Sequence, residues 1–514
     1  MSDQGWFFRS RRGLPADLAE AQVRIEELAR GYGLEFCDIL YEVCDYEEIN
    51  MIASYGGFPT RYPHWRWGME YLQMDKGYEY GLQKIYEMVI NTNPSYAYLL
   101  DNNTFMDQKL VMAHVCGHVD FFTNNTWFAP TNRKMLDQMA NHAARIRRYM
   151  DTHGVDAVES FIDLCLSIEN LIDPYAPHIR RERARSEGDI EQASLGDGVV
   201  KLPARAYMDK YINPPEVLAA QRKKHQEAVA QMRRFPEQPV RDVMGFLMRF
   251  GQLSRWQQDV LGMLRDEAYY FAPQAQTKIM NEGWASYWHT TMMTQDLLTD
   301  AEVVDYADHH AGTMSMQPGR INPYKIGIEL FRHIEERWNK GRFGKDWLDC
   351  TDVAVKRDWD TGAGLGREKI FEVRRSHNDV TFIDTFLTED FVREQGLFTY
   401  EYDKKARHWV VDSREFQEVK QKLLFMLSNR GDPRIEVTDG NHGNRGELEL
   451  THTFEGIDMQ LDWASRTLQN LARLWGRPVH LKTIIDGDDV VLHHDGDSFT
   501  ADGLKERPKR RRKA

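Results

Sequence analysis

Ala113-His114-Val115-Cys116-Gly117-His118-Val119-Asp120-Phe121-Phe122 is an apolar run carrying two histidines and one acid. It reads as a buried helix. Positions i and i+4 of a helix share one face, about one turn apart, so His114 and His118 point the same way. Two imidazoles so placed can grip one metal ion. They can equally be two core histidines, and the stretch alone does not choose. Upstream, Asp107 is placed to cap the helix that carries them.

Helices that grip zinc with the pattern His-Glu-x-x-His use the residue after the first histidine as general base. Here that residue is Val115. The sequence therefore offers a metal grip without the usual base. Asp120, two residues beyond His118, is a candidate replacement, as is Glu169.

A third arm lies far downstream, in Asn281-Glu282-Gly283-Trp284-Ala285-Ser286-Tyr287-Trp288-His289. Glu282 sits in an apolar, aromatic helix, where a lone carboxylate is expensive unless paired or bound to a metal. It is the natural third ligand beside His114 and His118. A structural ion pair is its other reading. His289, two turns on and on the same face, is a fourth ligand, a base or a core histidine. Farther on, Gln317-Pro318-Gly319-Arg320-Ile321-Asn322-Pro323-Tyr324 forms a turn feeding a helix that runs to about Asn339. A tyrosine on such a turn can aim its hydroxyl at a developing oxyanion, or simply pack.

The rest of the chain is mostly helical in pattern. Residues 14–55 read as helix, with Phe36, Ile39, Leu40 and Val43 continuing an apolar face after a break at Gly31–Gly33. Gly56–Trp65 reads as an ordered loop, 65–90 as helix, and Asn91–Leu100 as a turn followed by a strand. Helical patterns fill 131–172, where Glu159, Asp163 and Glu169 form either a solvated acidic face or an acid lining for the metal cleft. Residues 174–215, with charged Arg180–Arg185 and flexible Gly196–Gly198, read as a long exposed connection or flap. After Gly362–Gly366 the composition shifts. Strands are expected at 397–402, 409–412, 434–438, 447–453 and 479–485, with Asp403-Lys404-Lys405 at a turn and helices near 414–428 and 457–475. The expected organisation is a mostly helical metal-site body over 1–365, an α+β domain over 366–500 and a disordered basic tail over 501–514.

Bulk properties narrow the function. The chain's 514 residues suffice for a large core, with 13 Trp and 22 Tyr to fill it. The formal charge of −13 argues against a general nucleic-acid binder. The tail Lys505–Lys513 is the exception, and a solvated end is its plain reading. Five cysteines, odd in number and without a CxxC pair, suit a reducing compartment. Met1-Ser2-Asp3-Gln4-Gly5-Trp6 carries no apolar leader, and no run approaches ~18 apolar residues. A cytoplasmic protein without a membrane span is expected.

The motifs also carry a resemblance. Ala113–Phe122, Met280-Asn281-Glu282-Gly283-Trp284-Ala285 with His289, and Asn322-Pro323-Tyr324-Lys325-Ile326-Gly327 resemble the SpoVR family, stage V sporulation protein R and its homologues. So do Phe386-Leu387-Thr388 and Arg445-Gly446-Glu447-Leu448, and the resemblance covers nearly the whole length. It implies a role in spore-cortex formation or in stress physiology, with a PrkA-type serine kinase and a von Willebrand-type protein as partners. A weaker similarity links Glu282-Gly283-Trp284-Ala285 and the Tyr324-Lys325-Ile326-Gly327 turn to gluzincin-type (DUF885-like) metallopeptidases. It implies a zincin-like body with His114, His118 and Glu282 as the ligands of one divalent ion, zinc first. Val115 is where this chain departs from that pattern.

Three functions follow as expectations. The first is a metal-dependent amide hydrolase, with Asp120, Glu169 or His289 taking the water's proton and Tyr324 steadying the oxyanion. The second is a catalytically degenerate, zincin-like scaffold in a kinase-linked complex. The third is an iron or manganese site, since two imidazoles and a carboxylate with open positions also serve that chemistry.

Overall fold

The computed structural model describes residues 14–79, 87–179, 201–205, 207–232, 235–317, 320–403 and 407–503. Met1–Trp6, Arg180–Arg185, Gly196–Gly198, Pro318, Gly319, Lys404, Lys405 and the tail Lys505–Lys513 lie outside them. A helix that is apolar all round belongs in a core. The helix Phe105–Asn124, called here the histidine helix, is buried without a break from Met106 to Phe122. Its first turn is closed by a capping box. The Asp107 amide donates to Thr104 Oγ1 at 3.1 Å, and the Thr104 amide donates back to Asp107 Oδ2 at 3.3 Å. Thr104 is thus the N-cap, and Asp107, expected as the cap, is the third helical residue that completes the box.

A three-stranded sheet precedes the histidine helix. Its strands are β1 (Ile39–Cys44), β2 (Glu87–Ile90) and β3 (Ser95–Leu100), in the order β1-β3-β2. β1 runs parallel to β3, and β2 runs antiparallel to it. Two expected helices are corrected here. Ile39–Val43 also fits a 3.6-residue period, but Ile39 and Tyr41 alternate inward as in a strand. Of the expected helix over 65–90, the described residues form helix over Trp65–Glu79, residues 80–86 lie outside the described residues, and Glu87–Ile90, closed by β-branched Val89 and Ile90, is a strand instead. The strand expected in 91–100 is present as β3.

Two more helices complete the centre: a glutamate helix (Lys278–Met292) and a tyrosine helix (Pro323–Asn339). Glycine lets the three backbones close on each other. A Cβ at Gly117 would stand 2.6 Å from the Ala285 Cα, and one at Gly283 would overlap the Gly327 backbone. The tyrosine helix starts as the sequence implies, with Asn322 as N-cap and Pro323 in the first turn. His309 and His310 lie within a further helix, Val303–Thr313.

The histidine helix is pinned to its surroundings through Asp120. That carboxylate is fully buried. It accepts from Trp284 Nε1 at 2.7 Å and from the Glu35 amide at 2.8 Å, with Arg374 Nη1 at 3.6 Å.

The chain forms two compact units, each made of two stretches. The first takes Met1–Val155 and Tyr270–Gly431, and the second takes Asp156–Tyr269 and Asp432–Ala514. The core of the first unit includes Ile370, Phe382, Ile383, Val419 and Leu423. The composition shift at 362–366 therefore falls inside this unit. It also holds the two-stranded ribbon of β4 (Thr399–Asp403) and β5 (His408–Ser413).

The second unit contains the expected C-terminal sheet, larger than anticipated. Its five strands are β6 (Arg434–His442), β7 (Glu447–Thr453), β8 (Val479–Ile485), β9 (Asp488–His494) and β10 (Phe499–Asp502), in the order β10-β9-β8-β7-β6. Only the β7–β8 pair is parallel, and the helix Leu461–Trp475 makes that crossover. Among the described residues, no helix is long and apolar enough to cross a membrane.

Candidate metal centre

The three helices at the centre of the first unit bring His114, His118 and Glu282 together. All three are buried, and one donor atom from each lies within 4.8 Å of the others. His114 Nε2 is 3.3 Å from Glu282 Oε2, and His118 Nε2 is 3.4 Å from the same oxygen. Donors held about 2.0–2.1 Å from a tetrahedral ion stand roughly 3.3–3.4 Å apart. The observed spacing therefore fits such an ion, and two imidazoles with one carboxylate form a donor set for zinc, iron or manganese.

Each ligand candidate is held by its other atom. His118 Nδ1 is 2.9 Å from Asn281 Oδ1, an acceptor only, so Nδ1 carries a proton and Nε2 is the nitrogen that, in the neutral ring, offers its lone pair to the centre. His114 Nδ1 is 2.8 Å from His289 Nδ1. Lys278 Nζ donates to Glu282 Oε1 at 2.5 Å, which leaves Oε2 facing the histidines. Burial pushes the Glu282 carboxyl up, but His118, His114 and Lys278 outweigh it and hold the group well below the usual range. Burial opposes a charge on His118, yet Glu282 wins and raises its pKa. Burial, then the neighbouring His114, His310 and His309, pushes His289 well below the ordinary histidine value. His289 is therefore a neutral partner that orients His114.

Tyr324 stacks on His114, with ring centroids 6.1 Å apart and 26° between planes. Burial, followed by the charges of Glu282 and Glu87, keeps its hydroxyl protonated far beyond neutral pH. Asp120 is not brought to the cluster, because Trp284 and the Glu35 amide hold both its oxygens. Glu159, Asp163 and Glu169 lie in the second unit and are not part of the cluster. Val115 is fully buried in the core of the first unit.

A cavity of about 610 Å³ gives onto this centre, lined among others by His114, His289, His309, Tyr324 and Glu87. Sequence reasoning missed Glu87, Asn281 and Lys278. Glu87 was hidden inside an expected helix, although an acid opening Glu87-Met88-Val89-Ile90 is the one polar residue of an apolar strand. Burial raises the Glu87 carboxyl, while His114 and His118 pull it down.

Two family models together match most of the chain. One, described as SpoVR like protein, matches residues 14–432, and a second, the SpoVR-like C-terminal domain, matches residues 433–486. The border between them falls one residue from Asp432, where the second unit resumes. An Escherichia coli (strain K12) relative, "Uncharacterized protein YcgB", is 28% identical over 509 residues, covering 91% of this chain and 92% of that protein. No solved structure matches.

Proposed function

The chain belongs to the SpoVR-like family, and we propose that it is a metal-dependent hydrolase of amide bonds with a zincin-like body. The observation that carries this is the convergence of His114 Nε2, His118 Nε2 and Glu282 Oε2, each held in place by a partner on its far side. The likeness of Glu282-Gly283-Trp284-Ala285 to the gluzincin motif supports it. A divalent ion held there, zinc by preference, supplies Lewis-acid activation of a carbonyl and a more acidic water. The protein's own groups do the rest. Asn281 and His289 fix the imidazoles, Lys278 fixes the carboxylate, and the protonated Tyr324 hydroxyl is positioned to donate to the substrate's oxyanion.

We place this chemistry in the cytoplasm, on a peptide or a peptidoglycan precursor, in spore-cortex or stress physiology. A PrkA-type serine kinase and a von Willebrand-type protein are the partners to test. The support for that setting is the family resemblance. The test of the centre is metal analysis of the purified full-length protein. One ion per chain is expected, with a reduced content in Glu282→Gln and His118→Ala; an unchanged content would remove these residues from the ligand set.

Buried Val115 favours a second reading, a degenerate scaffold whose metal is structural. It predicts a loaded protein that cleaves no amide in a substrate screen.

A further inference from the structure

Val115 leaves the centre without a carboxylate from its own helix, so any water-activating base has to come from elsewhere in the fold. Among the described residues lining the cavity, Glu87 is the one that carries a carboxylate, and His114 is the member of the ligand set that shares the lining. Glu87 opens β2, one of the two edge strands of its sheet, and pairs with Leu99 of β3. The same cavity is lined by His114, His289 and Tyr324, so Glu87 faces the space a substrate would use.

Two features set Glu87 apart from a structural acid. Its carboxylate makes no hydrogen bond or ion pair among the described residues, although a partly buried carboxylate is costly without one. It also stands outside the group of three whose donor atoms lie within 4.8 Å of one another. It is therefore too far from at least one ligand to join the set. A group that acts on a water lying between itself and the ligands needs that offset.

We propose that Glu87 is the general base of this centre, supplied by edge strand β2 in place of the glutamate that Val115 replaces. The proposal rests on the hydrolase reading above. In the reaction, the water oxygen bonds to the amide carbonyl carbon while one of its protons passes to the Glu87 carboxylate. The carbon–nitrogen bond then breaks, and Glu87 returns that proton to the departing amine. The products are a carboxylic acid and an amine, and Glu87 ends as it began.

The experiment uses the zinc-loaded full-length protein and its Glu87→Gln variant. Zinc per chain is measured by mass spectrometry, binding of acetohydroxamic acid by calorimetry, and cleavage on any amide the wild type hydrolyses. Glu87→Gln keeps its zinc. It binds the hydroxamate about 10- to 100-fold more weakly, because the probe's proton loses a charged acceptor. Its hydrolysis falls by roughly 10²–10⁴-fold. Wild-type hydroxamate affinity in Glu87→Gln overturns the proposal, and so does loss of zinc, which would make Glu87 a ligand. A wild type that holds no zinc overturns the hydrolase reading itself and takes this proposal with it. A loaded wild type alongside an unaffected variant removes only Glu87.

Discussion

His118 Nδ1 lies 2.9 Å from Asn281 Oδ1, and the next residue along the same helix, Glu282, places its Oε2 3.4 Å from His118 Nε2. Two consecutive side chains thus hold one imidazole at both of its nitrogens. A slight rotation of the glutamate helix would disturb the orienting bond and the ligand together. The tight contacts between helices are what prevent that rotation.

Asn281→Ala should therefore weaken metal binding without removing a ligand. Loss of an orienting partner typically costs about 10- to 100-fold in affinity. The expected result is a protein with wild-type circular dichroism and zinc affinity reduced by that factor in a chelator competition. Wild-type affinity would mean that Asn281 does not fix the ring.

Gly283→Ala tests the packing beneath the site. Its added methyl would overlap the Gly327 backbone, which has no side chain to move aside. Overpacking of this kind costs about 1–3 kcal/mol, and more where only backbone can yield. Thermal unfolding should show a clear drop in Tm, and the drop should exceed that of an alanine at Gly154, which has nothing within 4 Å of its added Cβ despite a φ of +90°.

The same packing explains what was legible in the sequence. His114, His118 and Glu282 could be read because ligand-type residues on buried helices stand out against apolar neighbours. The start of the tyrosine helix could be read because Asn322 and Pro323 are local signals. β1 could not, since Phe36, Ile39, Leu40 and Val43 satisfy a helical period and only pairing with β3 decides otherwise. Asp120 looked like a base by proximity in sequence. Two residues along a helix are about 200° around it, so an acid at that position turns away from the face His118 uses. Glu87 was invisible because its role depends on a tertiary cavity rather than on its neighbours in the chain.

His333 gives a pH dependence with a definite sign. Burial, then Arg337, pushes its pKa down to about 4 from an ordinary value of 6.5. Between those values the unfolded chain takes up a proton that the folded chain refuses, so stability falls as pH drops from 6.5 towards 4 and this contribution levels off below. Because the ring is partly exposed, the effect is discounted for solvent screening to about 1–2 kcal/mol. Urea midpoints measured across that range should decline less in His333→Gln than in the wild type. Equal slopes would assign the acid sensitivity to other groups.

Tyr324→Phe separates positioning from chemistry at the centre. The phenyl ring retains the stack on His114, and the ligand set is untouched. What is lost is one hydroxyl donor, which burial and the charge of Glu282 keep protonated across the physiological range. If that hydroxyl meets the substrate's oxyanion, its removal lowers kcat by roughly 10²–10³-fold. KM and zinc content should change little, because the bond strengthens only as negative charge develops on the oxygen. A variant that instead loses zinc would recast Tyr324 as a support for Glu282, whose charge helps to raise its pKa. A matched fall in kcat and hydroxamate affinity, with zinc retained, would place the tyrosine and Glu87 on the same bound molecule.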